Sequence, residues 1–547
     1  MPENPAPAHP QTWQDALPHL SRRGLLAAGT GGALAALLAA CGSGSHDPAG
    51  AAPKDTRSAA GDPVRPGGTL RAGSPPPPTA VDPVTAYDGT SVALIQLVAE
   101  YLVWLDKDFK LVPRLATGWT SDAAARTWTF TLRKGVRFSD GTPLDSAAVK
   151  ATFDRLLAPE NKSSALSAFA TILEPGGVAA PDASTVVFTL KRPFSDFPYL
   201  VSAGNYNTVI LKQDYAGDFT KKAIGTGPFL LDSYDASRGA GFTRNPAYWA
   251  APKPYLDGVQ VTFYADDQAD LVALQSGSID AQLLSRADLV EPLAAAGGIT
   301  VDKVEGTGVT VLTLRVDKAP FDRKEVRQAV AFALDRPAVK EGVGAGLGDL
   351  GNDHLLAPAF PAAPKDIPQR AQDKAKVARL LAAAGVDKLR FTLTFDPPSK
   401  DYAVTIQSQL KQLGITVDLD QRSSADFYGG DQAKDAPWLF TTANLVGWAG
   451  RAVPSQFITP MVKTGAVWNG SKYSNKALDA AADAYDAATT DEERRAQAEI
   501  IAKALNEDVP IVVTYWSGAV RAYNGRKFRG VEAHPSAYVD FSSVSRV

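Results

Sequence analysis

The sequence predicts a mixed α/β (α+β) fold, and three observations carry that reading. The first is the stretch 391–419. Phe-Thr-Leu-Thr-Phe at 391–395 alternates as a strand does, and Tyr402 to Leu413 sets Ile406, Leu410 and Leu413 on one helical face. Gly414 closes that helix, and Ile-Thr-Val-Asp-Leu at 415–419 alternates again. Strand, helix and strand at this spacing make a βαβ unit, hence a parallel pair. The second observation is period-two alternation elsewhere, in Thr-Trp-Thr-Phe-Thr-Leu at 127–132 and Val-Gln-Val-Thr-Phe at 259–263. The third is a set of helix boundaries. Asp322 with Glu325 has capping-box spacing ahead of Val326, Val330 and Leu334, as does Thr490 with Glu493 ahead of Ile501 and Leu505. A helix opening at Asp373 ends at Gly385, a natural residue just past a helix end.

In chain order, the first element is a secretory leader over 1–40. Arg22 and Arg23 give it a positive region, and Leu25 to Ala40 an apolar stretch rich in Gly and Ala. That stretch is shorter than the roughly 20 residues of a membrane-spanning helix. The paired arginines resemble a twin-arginine export signal, the alternative being a general secretory leader. Cys41, the only cysteine, follows Leu38-Ala39-Ala40 as in a bacterial lipobox. It is the expected lipid-attachment site, which places the working protein outside the cytoplasmic membrane on its outer face. Acyl chains anchor at about 0.8 kcal/mol per buried CH2. Residues 41–66 then read as a Gly/Ser/Ala/Pro-rich tether.

The body is long enough for more than one lobe, and 45% hydrophobic residues suffice for large cores. No further cysteine is present, so packing rather than disulfides must stabilise it. A formal net charge of −3 gives no reason to expect nucleic acid or a polybasic membrane surface. Catalytic and cofactor motifs are scarce. His46, His354 and His534 are too scattered for a metal site and read as surface or structural residues. The chain has no Gly-x-Ser-x-Gly and no Gly-Lys dipeptide. Gly346, Gly348 and Gly351 match a dinucleotide fingerprint on paper but follow a helix rather than a strand, so they read as a loop. No enzyme activity, metal or cofactor is expected.

A series of blocks resembles the solute-binding proteins of ABC importers, in the family that carries oligopeptides, dipeptides and nickel chelates. They are Gly-Gly-Thr-Leu-Arg at 67–71, Val-Asp-Pro at 81–83, Leu-Ala-Thr-Gly-Trp at 115–119, and the run 128–150 with Gly-Val-Arg-Phe-Ser-Asp-Gly-Thr-Pro-Leu at its centre. Further blocks stand at 225–229, 245–249, 273–280 and 320–336, in family order. The resemblance implies two lobes around a cleft, joined by a hinge. Lobe 1 would comprise 67–105, 224–305 and 514–547, with a subdomain inserted at 106–223, and lobe 2 would comprise 306–513. Ligand would bind between the lobes and favour the closed state. The partners implied are a small-molecule or peptide ligand and the permease and ATPase subunits, with the binder itself a monomer.

In peptide-binding relatives a Gly-Trp segment carries an aspartate that pairs with the ligand's ammonium. Here the similar segment is 447–454, and Arg451 stands at that place. A cleft-facing Arg451 would favour a carboxylate; the plainer reading turns it to solvent or to an internal acid. Trp448, Tyr515 and Trp516 are the other ligand-binding candidates, with core packing as their alternative. Trp119, Trp128 and Trp249 read as core. The expected ligand is an oligo- or dipeptide; the alternatives are an anionic small molecule, a metal chelate or an oligosaccharide. Outside this class stand a surface signalling receptor and an extracellular hydrolase.

Overall fold

One strand, Ile299–Leu314, organises the molecule, because its two ends belong to different half-sheets. The computed structural model describes residues 63–547 apart from 218, 288, 290–292, 294–296, 430–433 and 537. Arg22, Arg23, Cys41, His46, the leader and most of the tether lie outside the described residues. No helix among the described residues is long and apolar enough to cross a membrane.

Among the described residues an 11-stranded sheet forms the backbone of the fold. In its first half, Thr69–Ser74 pairs in parallel with Gly258–Phe263 and with Ala281–Gln282, and the sheet continues through Gly239–Arg244 to Phe229–Asp235. Parallel strands are covered on both faces, which suits the buried Leu70, Ala72, Val259 and Val261. The early part of Ile299–Leu314 joins this half through Ser517–Asn524, from Ile299↔Asn524 to Gly308↔Ser517. The pairing register breaks between Val304 and Gly308. Beyond the break the same strand pairs with Ala443–Trp448 and with Ile511–Val512 in the second half. The chain passes back to the first half through 513–516.

The βαβ unit is present as read. Arg390–Phe395 and Thr416–Gln421 lie parallel in register Arg390↔Thr416, joined by the helix Lys400–Lys411, which buries Tyr402, Ile406 and Leu410. The strands Thr127–Leu132 and Gly258–Phe263 match their alternation. Thr490 and Glu493 form a reciprocal capping box. Asp373 caps Lys374–Ala383, and Gly385 follows at φ 65°. The capping box expected at Asp322 does not form. The helix there is Lys324–Ala333, with Arg323 at its N-cap and no side-chain cap. Asp322 is instead used in the preceding turn, its N–H donating to Lys318 O at 2.9 Å, while buried Phe321 anchors that turn in the core.

The glycines at 346, 348 and 351 lie in a loop after the helix Arg336–Val343, as expected. Gly348, at φ 81°, is there for close approach: a Cβ would stand 1.8 Å from the Trp516 carbonyl oxygen. His354 and His534 are buried structural residues. His534 Nε2 lies 2.8 Å from Leu105 O, and its Nδ1 accepts from Ser536 N.

Within 116–189 lies a separate four-stranded antiparallel sheet, whose core holds Phe130, Phe153, Phe188 and Phe197. Their rings approach to between 4.9 and 6.3 Å in edge-on or tilted pairs, each adding about 0.5–1.5 kcal/mol beyond simple burial. Trp128 is buried there, and Trp119 and Trp249 pack half-buried on the same cluster. Buried Glu100 ties the surrounding segments together. It accepts from Arg114 Nε at 2.7 Å, Tyr248 OH at 2.8 Å, Trp249 Nε1 at 2.7 Å and Thr226 Oγ1 at 3.0 Å. Arg114 also pairs with Asp540 at 3.2 Å, which brings the C-terminal segment into the network.

Candidate functional site

The loop after Ala443–Trp448 is held from both half-sheets. Arg451 N–H donates to Thr307 Oγ1 at 2.9 Å, and that hydroxyl donates to Arg451 O at 2.6 Å. Thr307 is fully buried in the register break of the long strand. Gly450 fits where no side chain would: its Cβ would lie 2.9 Å from Pro535 O of the first half. Ala452 and Val453 then bury themselves in the first half's core, and Ala452 N–H donates to Gln456 Oε1. The main chain of 450–453 is therefore fixed, and Arg451 projects from a rigid support.

The sequence candidates fall into two groups. Trp448 and Arg451 lie on this strand end and loop, both half-buried. Trp448 stands 6.1 Å from Trp438 and 5.6 Å from Trp468, in a small crevice that Thr313, Val446 and Met461 also line. The Trp438 indole N–H is buried there without a partner. Tyr515 and Trp516 lie on the returning segment. Tyr515 packs in the second-half core, its ring 6.1 Å from Tyr402. Trp516 is 0% exposed against Phe457, its indole N–H unpartnered and its backbone N–H donating to Asp349 O.

Several residues here had no local signal. Thr307 lies between Gly306 and Gly308, and only that Gly-Thr-Gly spacing hints at a close approach. Tyr538 packs with Trp104 and His534 in the first half. Burial pushes its phenol pKa up, with the Arg451 charge pulling it back. A second set of contacts joins residues 192–196 to the second half. Arg192 donates to Asp486 at 2.7 Å, Ser195 N–H donates to Asp486 O at 2.8 Å, and Ser455 donates to the same carboxylate. Arg494 pairs with Asp196 at 3.1 Å and donates to Ser195 Oγ at 3.0 Å. Burial raises both carboxyls, Asp196 to about 6, against the opposing pull of Arg494 and Arg192.

Comparison with known proteins follows the same chain. Residues 110–469 match the family model of the bacterial extracellular solute-binding proteins, family 5 (middle). The glutathione-binding protein GsiB of Salmonella paratyphi A is 28% identical over 426 residues, covering 73% of this chain and 80% of the relative. The substrate-binding protein CtaP of Listeria monocytogenes superposes with a TM-score of 0.75 at 23% identity, over 88% of this chain and 100% of that one. DppA of Helicobacter pylori, solved with the peptide STSA, gives 0.74 at 23% identity, over 88% and 98%. At these identities the structures establish the shared fold.

Proposed function

The chain belongs to the family 5 bacterial extracellular solute-binding proteins, and from that premise we propose that it is lipid-anchored at Cys41 and captures peptides between its two half-sheets. It is the solute-binding component of an ABC importer and works with a permease and ATPase, as a binding protein rather than an enzyme. The finer reading rests on one observation. The 449–453 loop touches both halves at once, through Thr307, Pro535 and the first-half core. A ligand lodged beside that loop gains contacts from both sides only when the halves are together, and so favours closure. Trp448 and Arg451 are its proposed contacts, with Tyr515 and Trp516 supporting the returning segment. The peptide class is supported by the glutathione-binding relative and the peptide-bound neighbour.

A thermal-shift screen with peptides, metal chelates and oligosaccharides tests the ligand class. A ligand at 100 times its dissociation constant stabilises by about 2.7 kcal/mol. Stabilisation by chelates or oligosaccharides alone would remove the peptide reading. For the anchor, Cys41→Ser should abolish incorporation of labelled fatty acid and release the protein from the membrane; unchanged labelling would refute it. A tether of 41–66 would keep the binder near its permease at high effective concentration.

A further inference from the structure

Arg451 carries a guanidinium with no ion pair and no side-chain hydrogen bond among the described residues, although it is half-buried. Most other enclosed arginines are satisfied: Arg114, Arg192, Arg315 and Arg494 meet the carboxylates of Glu100, Asp486, Asp317 and Asp196, and Arg155 and Arg327 meet main-chain carbonyls, although the Nε of Arg495 is likewise buried without a partner. Arg451 is also not a loose surface residue, since its own backbone N–H and C=O are both held by Thr307.

Its neighbourhood on the other half adds charge of the same sign. Arg521 is fully buried and meets only carbonyls, those of Leu283, Gln282 and Tyr538, the last at 3.0 Å. Its Nε has no partner. Tyr538 thus receives Arg521 on its carbonyl and feels Arg451 at its phenol. Two acids of this region are engaged elsewhere. Asp540 pairs with Arg114, and Asp302, which acts on Arg521 from beyond ion-pair distance, accepts from Ala533 N–H at 2.7 Å. Two guanidiniums from opposite halves therefore act on one tyrosine, and among the described residues no carboxylate closes an ion pair with either.

Removing a cation from water without a counter-charge is costly, and a fixed, planar guanidinium is suited to a carboxylate in a forked pair. We propose that the solute carries a carboxylate and that Arg451 binds it, the charge of Arg521 adding to the attraction. This inference rests on the reading that solute binds between the halves, and it defines which end of the solute is gripped there.

The test is calorimetric titration of the protein with reduced glutathione, its N-acetyl form and its diester, and with citrate. Binding of the first two should be lost on esterification and should weaken roughly 10- to 150-fold in Arg451→Ala, the range for losing a hydrogen bond to a charged group. Arg451→Lys, which keeps the charge but not the fork, should fall between, and it serves if the alanine variant misfolds. Equal binding of the diester, or full affinity in Arg451→Ala, overturns the assignment and leaves the peptide reading standing. Binding of citrate alone, lost in Arg451→Ala, supports the assignment and removes the peptide reading. Binding of no carboxylate overturns the assignment.

Discussion

Asp353→Asn should destabilise the second half of the molecule by about 3 kcal/mol. The Asp353 side chain is 0% exposed, and Arg336 Nη2 reaches both of its oxygens at 2.7 Å. Arg370 Nε stands 2.7 Å from Oδ2, as an ion pair rather than an aligned hydrogen bond. Asparagine keeps the shape, keeps an acceptor for Val513 N–H, and tolerates the left-handed φ of 59° as aspartate does. It removes the charge and leaves two enclosed guanidiniums unpaired. Breaking a buried pair costs about 3–5 kcal/mol. The lower end applies, because Arg336 retains Ala331 O at 3.0 Å and Arg370 lies over the Phe332 ring at 4.3 Å. With a urea m-value of about 3 kcal/mol per M, the midpoint should fall by about 1 M. Tryptophan fluorescence follows it, since Trp438, Trp448, Trp468 and Trp516 all report from the second half. A loss under about 1 kcal/mol would refute the reasoning, for it would mean that carbonyls and an aromatic face alone neutralise both cations.

Two other perturbations test separate features. Arg494→Ala removes the counter-charge from Asp196, one of whose oxygens is already buried without a partner, so the joined halves should separate more readily. A penalty of about 1–3 kcal/mol should appear as weaker ligand binding and a larger radius of gyration in X-ray scattering. It should be relieved as pH falls below about 6, because a carboxyl raised by burial becomes neutral there; an unrelieved penalty at pH 5 would exclude a charge effect. His534→Gln should flatten the loss of stability on acidification. Burial lowers the folded His534 to about 4 against about 6.5 unfolded, so its contribution is full above pH 6.5 and is lost as pH falls to 4. At 1.36 kcal/mol per unit this amounts to about 3 kcal/mol, read as the difference between chemical denaturation at pH 7 and pH 4.5. An unchanged pH slope in the variant would refute it.

What was legible in the sequence was local. The βαβ unit announced itself because its helix face and two strand alternations are each complete within 391–419, and the capping box at Thr490 needs only residues three apart. The same spacing at Asp322 failed because a nearby anchor competed: buried Phe321 draws the chain into a turn that uses the Asp322 backbone. The glycines at 346–351 were rightly separated from a phosphate loop by the missing strand, but the purpose of Gly348, room for the Trp516 carbonyl, lies 168 residues downstream of it. Arg336, Asp353 and Arg370 are ordinary charges in the sequence and become a triad only through the fold. Likewise Arg451 was legible as a charge, whereas Thr307 and Tyr538 come from segments about 144 residues before and 87 after it.

The two passages between the half-sheets differ in where they are fastened, and that locates any turning point. Residues 513–516 belong mechanically to the second half: Val513 N–H donates to Asp353, Thr514 pairs with Tyr402 and accepts from Gly351 N–H, and Trp516 N–H donates to Asp349 O. In the long strand, Thr307 is bound to the second half through Arg451, while Ile299 to Val304 pair with the first half's edge. Rotation of one half against the other must then be taken up at 305–306 and 517–518. These stretches are adjacent, since Gly308 pairs with Ser517 and a Gly306 Cβ would lie 2.4 Å from Ser517 O. Gly306 and Gly518 supply the conformational freedom such a point needs. If the halves turn about this point, Ala452 and Val453, buried in the first half's core, must be withdrawn as they part, and a carboxylate held by Arg451 beside Tyr538 would be released with them.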